Sequence, residues 1–477
     1  MYYSKKISRG ARVRSRVYVN DFSKGIVASQ DKKHLPLSYA FRSYNTAFKG
    51  GSLKGGFGIK KATFDGGVLA DFAVEGVLPK KLYYYKRYDE EISAYLDCLL
   101  IYASDNNFYK MVLGIDEGFS LVSGLAFEKE PSAVTYNYNG KDVIIFSVGN
   151  LSKVYDGETV TFVEDAPGIT SSCIHSERLF ATEGGDKTTL WFSDDFNPLN
   201  WNVSLEDAGY IDLRDGRGSL LKVISFDGYL YVFRNYGISR ITAYGDQAGF
   251  SVDGITASAS RIIPESICVC SDRIIYLAED GFYSFSGGTP TRIMGKLDGL
   301  NINAKKGARA HYYRGNYYCV LTLKDENGVE FQALICYLVK DGQFTVSKNL
   351  NVVDFTVMEA EKELKLLFIC GDNSAIGELS EKSEYFSRGI TKSWESGESD
   401  FGISKEKTLT KLFINSEAPV KVRVKSEIGA RTLNFMGSKK MQMIPVGLRG
   451  EYYSFLIECD TPECSVSYLG AEVEYDG

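Results

Sequence analysis

The chain has 477 residues, a formal net charge of −6, 44% hydrophobic residues, 47 glycines, 10 prolines, 32 tyrosines and 28 phenylalanines. That length is too great for one ordinary core and calls for two or three structural units. Mild acidity with both signs interspersed speaks against a protein that grips nucleic acid by neutralising phosphate, and no apolar run is long enough to span a bilayer.

Abundant glycine, scarce proline and many aromatic residues favour short strands joined by turns. Apolar residues recur with period two nearly everywhere, and no convincing amphipathic helix interrupts them. The chain therefore reads as all-β. It opens on a basic arm, with Lys5, Lys6, Arg9, Arg12, Arg14 and Arg16 ahead of the first acid, Asp21. Arg12, Arg14 and Arg16 share one face of a strand and Val13, Val17 and Val19 the other. The arm is either a solvated terminus or a subunit contact that lies on an acidic neighbour or near DNA phosphate. No apolar stretch follows these basic residues, so they do not make a secretory signal, and any extracellular role is expected to come by release. Residues 35 to 48, followed by Gly50, Gly51, Gly55, Gly56 and Gly58, read as an extended segment wrapping another unit.

From about 80 to 382 one pattern repeats: strand, Gly- or Asp-containing turn, strand, turn, more polar edge. It recurs at 96–112, 141–162, 178–201, 227–241, 271–288, 314–338 and 363–379. The spacing is roughly the 40–45 residues of a four-stranded propeller blade. Six or seven blades are expected, since two units can be shared at the closure; a pair of β-sandwiches is the other arrangement such hairpins allow. Within the third repeat, Arg178 to Thr182 and Thr188 to Ser193 form a hairpin around Gly184-Gly185-Asp186. Asn197-Pro198 then turns the chain so that Trp201 folds back on it. After Tyr385 the texture changes. Three alternating strands between 391 and 427 and the two-faced run Tyr452 to Ile457 predict a separate β-sandwich.

Nine cysteines, Cys98, Cys173, Cys268, Cys270, Cys319, Cys336, Cys370, Cys459 and Cys464, follow no disulfide framework and suggest reduced thiols assembled in a cytoplasm. Cys268 and Cys270 share a strand face and read as core; Cys459 and Cys464 could meet across a turn, with no Cys or His nearby to complete a zinc site. His34, His175 and His311 carry no motif. No catalytic, cofactor or metal site is predicted, and no enzymatic activity. Propellers also host glycosidases, and Ser193-x-Asp195 before Trp201 is similar to the Asp-box of sialidases. Asn197 stands in place of its Gly, Leu199 in place of its Thr, and the Trp falls one residue late.

Three segments in order carry a more specific likeness. Leu190-Trp191-Phe192-Ser193 with Asn197-Pro198 and Trp201, then Trp394-Glu395-Ser396-Gly397 with Phe401-Gly402, then Gly447-Leu448-Arg449-Gly450 ahead of Tyr452-Tyr453 resemble the β-propeller nozzle, or packaged-DNA-stabilisation, proteins of short-tailed bacteriophages. Gly51-Ser52-Leu53-Lys54 adds a fainter match near the start. The resemblance implies a structural virion protein, assembled in the host cytoplasm and placed in the tail. Residues 1–79 would be an arm and wrapping segment, 80–384 the propeller, and 385–477 the sandwich, with the two ends forming a platform. It implies a ring of six copies below the head-to-tail adaptor, near tail fibre or other tail proteins, with genomic double-stranded DNA passing through the lumen unread. Trp191, Asn197, Pro198, Trp201, Trp394 and Arg449 would be structural motif residues, and the basic arm a partner contact. No cofactor is implied. The readings from other classes are a propeller-type glycan-binding protein or glycosidase and a cellular protein-interaction hub.

Overall fold

In the computed structural model the described residues are 12–185, 187–204, 207–258, 260–325, 327–360 and 363–476. They form an all-β molecule whose only helices are single 3-10 turns. Among them, seven antiparallel sheets follow one another along the chain, spanning 79–126, 132–162, 169–212, 220–257, 268–292, 301–348 and 352–380. Each runs from its first strand outward by hairpins, the simplest connection for antiparallel neighbours. The seven repeats read from the sequence fall one to a sheet, on its middle strands. Those strands are covered on both faces by adjacent sheets, so they read as unbroken apolar runs: Leu99, Leu100, Ile101 and Ala103 are wholly buried. Turn chemistry agrees. Asn139-Gly140, Asp227-Gly228 and Arg314-Gly315 join first strands to second, each with both residues at positive φ, as a two-residue hairpin of this twist requires.

Neighbouring sheets share apolar clusters in sequence order around a ring. Leu190 and Val232 link the third and fourth, Phe233 and Tyr276 the fourth and fifth, and Tyr318 and Phe368 the sixth and seventh. The circuit closes because Leu99 and Ile101 of the first sheet share a cluster with Leu367 and Ile369 of the seventh. This closure leaves few open sheet edges, the device by which propellers avoid edge-to-edge association. The seventh sheet takes its next strand from far upstream: Gly58–Lys61 pairs antiparallel with Ala375–Ser380, and Lys60 reaches Glu378 at 2.9 Å. Residues 12–79 thus contribute to two places, the ring and the body beside it.

That body contains the first and last described strands. One of its sheets holds Arg12–Val19, Thr46–Lys49, Ser52–Gly55, Lys407–Ser416, Ser438–Gly450 and Ser465–Asp476; the other holds Ala40–Tyr44, Lys392–Ser396, Val420–Ser426, Ala430–Phe435 and Tyr453–Cys459. Alternate residues of the two, such as Leu412 and Ile414 against Val422 and Val424, bury into one cluster. The same cluster runs on into Leu277, Tyr317 and Ile335 of the fifth and sixth sheets. An apolar seam joins body and ring.

Candidate functional site

First strands crowd the ring axis, where side chains of different sheets meet across a cavity of about 480 Å³. Charge there is balanced. Lys81, Lys222 and Arg309 face Glu130, Glu265 and Asp354. Arg309 lies 2.7 Å from Glu130 and 3.2 Å from Asp354, while Lys81 holds Glu130 at 2.9 Å. Asp354 also accepts the Leu82 amide at 2.7 Å. One guanidinium of the sixth sheet therefore ties the seventh sheet to the connection that leaves the first. Burial pushes the Asp354 carboxyl above its ordinary pKa despite the guanidinium. Burial pushes Glu130 the same way, but Lys81 and Arg309 outweigh it and leave it low. Lys222, 3.9 Å away, is the main reason Glu265 is drawn down to about 2. His311 sits against Phe355 with ring centroids 5.0 Å apart; burial, then Lys222 and Lys81, lower it to about 4, so it is neutral at pH 7. Each carboxylate is already engaged by a cation, an arrangement suited to holding strands in register.

A second concentration of specific contacts lies where body meets ring. Asn45 is fully buried at φ +58°, between a strand of each body sheet. Its amide N–H donates to the Val346 carbonyl, its side-chain oxygen accepts the Lys348 N–H, and its side-chain nitrogen donates to the Thr391 carbonyl, each at 2.8 Å. The Gly56 amide and the Ser383 hydroxyl both donate to its carbonyl. Asn suits the place because it tolerates the left-handed region and offers both donor and acceptor. Nearby, Phe22 meets the wholly buried Trp394 edge-on at 5.1 Å.

Two of the family-like segments come together within the body. Phe401 stacks on Tyr453 at 5.4 Å, and Ser399 and Tyr453 exchange backbone hydrogen bonds. The Tyr453 hydroxyl lies within reach of the Lys407, Leu448 and Gly450 carbonyls, at 2.7, 3.0 and 3.2 Å. The Phe455 amide donates to Ser396 Oγ, and Arg449 pairs with Glu406 at 2.8 Å on the surface. The remaining segment lies apart, in the third sheet of the ring. There Trp201 packs with Leu179 and Ala181, and the Trp191 indole N–H donates to Glu183 at 3.2 Å. Asn197 Oδ1 accepts the Leu199 amide beside buried Pro198, and Asp186 lies outside the described residues.

Of the basic arm, Lys5, Lys6 and Arg9 also lie outside the described residues. Arg12 and Arg14 pair with Glu474, at 2.7 and 3.1 Å, and Arg16 with Glu472 at 3.0 Å. The acidic partner of this part of the arm is thus the last strand of the same chain, in register from Arg12 opposite Asp476 to Val19 opposite Leu469. His34 is exposed, and His175 is buried against Ser225 Oγ at 2.8 Å. Asp195 is exposed on the turn after the third-sheet hairpin, away from the axial cavity. Carboxylate oxygens of Asp194, Asp195 and Asp207 lie there within 4.8 Å of one another. Sequence reading missed the axial charges and Asn45. The former come from strands of different repeats, and only their position at the start of a repeat hints at a shared axis.

No family model matches the chain, and no curated protein matches it. Among solved structures it is similar to BBS1N in complex with ARL6DN, at 10% identity and TM-score 0.44, covering 68% of this chain and 97% of that one. It is also similar to the Neurospora crassa Pan2 WD40 domain, at 8% identity and TM-score 0.36, covering 65% of this chain and 98% of that one. KlHsv2 with loop 6CD replaced by a Gly-Ser linker matches at 13% identity and TM-score 0.37, covering 64% and 98%. At such superpositions these likenesses say nothing of function or partner. What makes the chain propeller-like is its own sheet order and the closure between its first and seventh sheets.

Proposed function

We propose that this chain is a structural virion protein of a short-tailed phage, a subunit of the tail nozzle ring below the head-to-tail adaptor. In this reading the seven ring sheets are seven propeller blades, and the two end sheets are a β-sandwich forming the platform. Six copies would continue the DNA channel, retain packaged DNA and release it. The observation that carries the proposal is the ordered set of family-like segments, two of which pack on each other at Tyr453 within the body. Supporting it, the first described strand pairs with the last, and an upstream strand completes the seventh blade. A ring under load needs that coupling, because a hinged subunit would yield under pressure from packaged DNA. The axial cavity of about 480 Å³ is too small for a duplex, so DNA would pass between subunits. An acidic lumen would repel phosphate and ease sliding, whereas a basic one would trap DNA through counterion release.

Electron microscopy and mass photometry of the purified chain, alone and with a head-to-tail adaptor protein, test the proposal. A ring with the adaptor seated on the end-body is expected. A chain that stays monomeric with the adaptor present overturns it, and turnover of an aryl glycoside panel would favour the glycosidase reading instead.

A further inference from the structure

Of the six charged side chains that line the axial cavity, four are bonded to one another: Lys81, Glu130, Arg309 and Asp354 are linked at between 2.7 and 3.2 Å. The other two are held differently. Lys222 Nζ and the Glu265 carboxylate stand 3.9 Å apart, outside hydrogen-bond distance, and neither side chain has a hydrogen-bond partner among the described residues. The two side chains are 23% and 53% exposed, so a solute can reach both. Their backbones are nonetheless fixed. Lys222 lies in the first strand of the fourth sheet, opposite the wholly buried Phe233. Glu265 sits in the single turn Pro264–Ser266, where the buried Ser266 accepts the Leu277 amide on its hydroxyl and the Tyr317 hydroxyl on its carbonyl, each at 2.9 Å. A cation and an anion are thus presented side by side by elements already anchored in the ring. The same cavity collects Thr135 from the second sheet, Ser172 from the third and His311 from the sixth, whose side chains also lack hydrogen-bond partners among the described residues. The neutral imidazole offers one donor and one acceptor, and each hydroxyl offers both.

We propose that the axial cavity is a binding site for a free α-amino acid, which sets its carboxylate on Lys222 and its ammonium on Glu265. Charge selects this class. A small anion would meet Lys222 but be repelled by Glu265 beside it, and a small cation would meet the reverse. A neutral polyol would part the two ions and return only dipoles. A zwitterion replaces one loose ion pair by two charge-assisted contacts, and burying its charges is tolerable because each meets its opposite. In an α-amino acid both charged groups hang from one carbon, which suits a receiving pair only 3.9 Å apart. The remaining charges do not compete for it, because Lys81 and Arg309 are already hydrogen-bonded to carboxylates. The cavity of about 480 Å³ has room for the whole molecule, with Thr135, Ser172 and His311 left to meet its side chain. Because Lys222 and Glu265 come from elements fixed before the ligand arrives, little ordering opposes binding. This proposal stands apart from the tail reading and does not depend on it.

Isothermal titration calorimetry of the full-length chain against each of the standard amino acids tests this. At least one is expected to bind at one site per chain with a dissociation constant of about 1 mM or tighter. Its N-acetyl and its amide derivative each lack one of the two charges and should bind at least about tenfold more weakly. The same loss is expected when the amino acid itself is titrated into Lys222→Met or Glu265→Gln chains that keep the wild-type circular dichroism spectrum. No heat from any of the amino acids at about 10 mM, or at saturation for the less soluble ones, overturns the proposal. So does equal binding of the two derivatives, unchanged binding by the folded variants, or binding of D-glucose where the amino acids do not bind. The derivatives decide even if neither variant folds.

Discussion

Replacing Asn45 by Ala should loosen the joint between body and ring more than any nearby surface change. The substitution keeps the backbone at φ +58° but removes a side chain that makes two buried hydrogen bonds, to the Lys348 N–H and the Thr391 carbonyl. Holding Ala rather than Asn or Gly in the left-handed region costs about 1 kcal/mol. Each backbone group left without its partner costs about 1–3 kcal/mol. Together these predict a loss of about 3–7 kcal/mol, at the large end for single substitutions. Asn45→Gly relieves the φ term alone and should sit about 1 kcal/mol above Asn45→Ala. Urea denaturation followed by tryptophan fluorescence is a suitable assay, since Trp394 lies in the end-body and Trp191 and Trp201 lie in the ring. The body signal is expected to move to lower urea ahead of the ring signal. An Asn45→Ala protein within about 0.5 kcal/mol of wild type would refute the reasoning, because it would mean that water or a rearranged backbone replaces both bonds at no cost.

Two further outcomes follow from the ring. His311 is held neutral, with a folded pKa of about 4 against 6.5 for the free side chain, while Lys81, Lys222, Glu265 and Arg309 face it. Between those values the unfolded chain binds the extra proton, so stability present above pH 6.5 is lost as pH falls towards 4. His311→Gln should flatten that part of a urea-midpoint profile, and an unchanged slope would remove His311 as the cause. Gly58→Ala would put a Cβ 2.2 Å from the Glu384 carbonyl oxygen and 2.4 Å from that of Lys382, both backbone atoms that cannot swing aside. The closing strand should shift, at about 1–3 kcal/mol or more, whereas Gly118→Ala, with nothing within 4 Å, should change stability by less than about 0.5 kcal/mol. Equal thermal midpoints for the two variants would contradict the closure described here.

The sequence by itself determined what is local. Period-two alternation, Asn-Gly, Asp-Gly and Arg-Gly turns, and continuous apolar runs such as Leu99 to Ala103 report the environment of a single strand or hairpin, and all are visible within a window of a few residues. The seven repeated hairpins and the change of texture after Tyr385 were legible for that reason, as was the shared face of Arg12, Arg14 and Arg16. The tertiary structure alone decided which distant pieces meet. Gly58–Lys61 joins a strand more than three hundred residues downstream, Arg309 spans Glu130 and Asp354 across the ring, and Asn45 bonds to both Lys348 and Thr391. Pairings of this kind leave no periodic trace, because any exposed strand edge or buried charge accepts many partners in principle. The choice among them is made when a whole ring of sheets packs at once, burying the apolar strands between neighbours and pairing the charges at its axis.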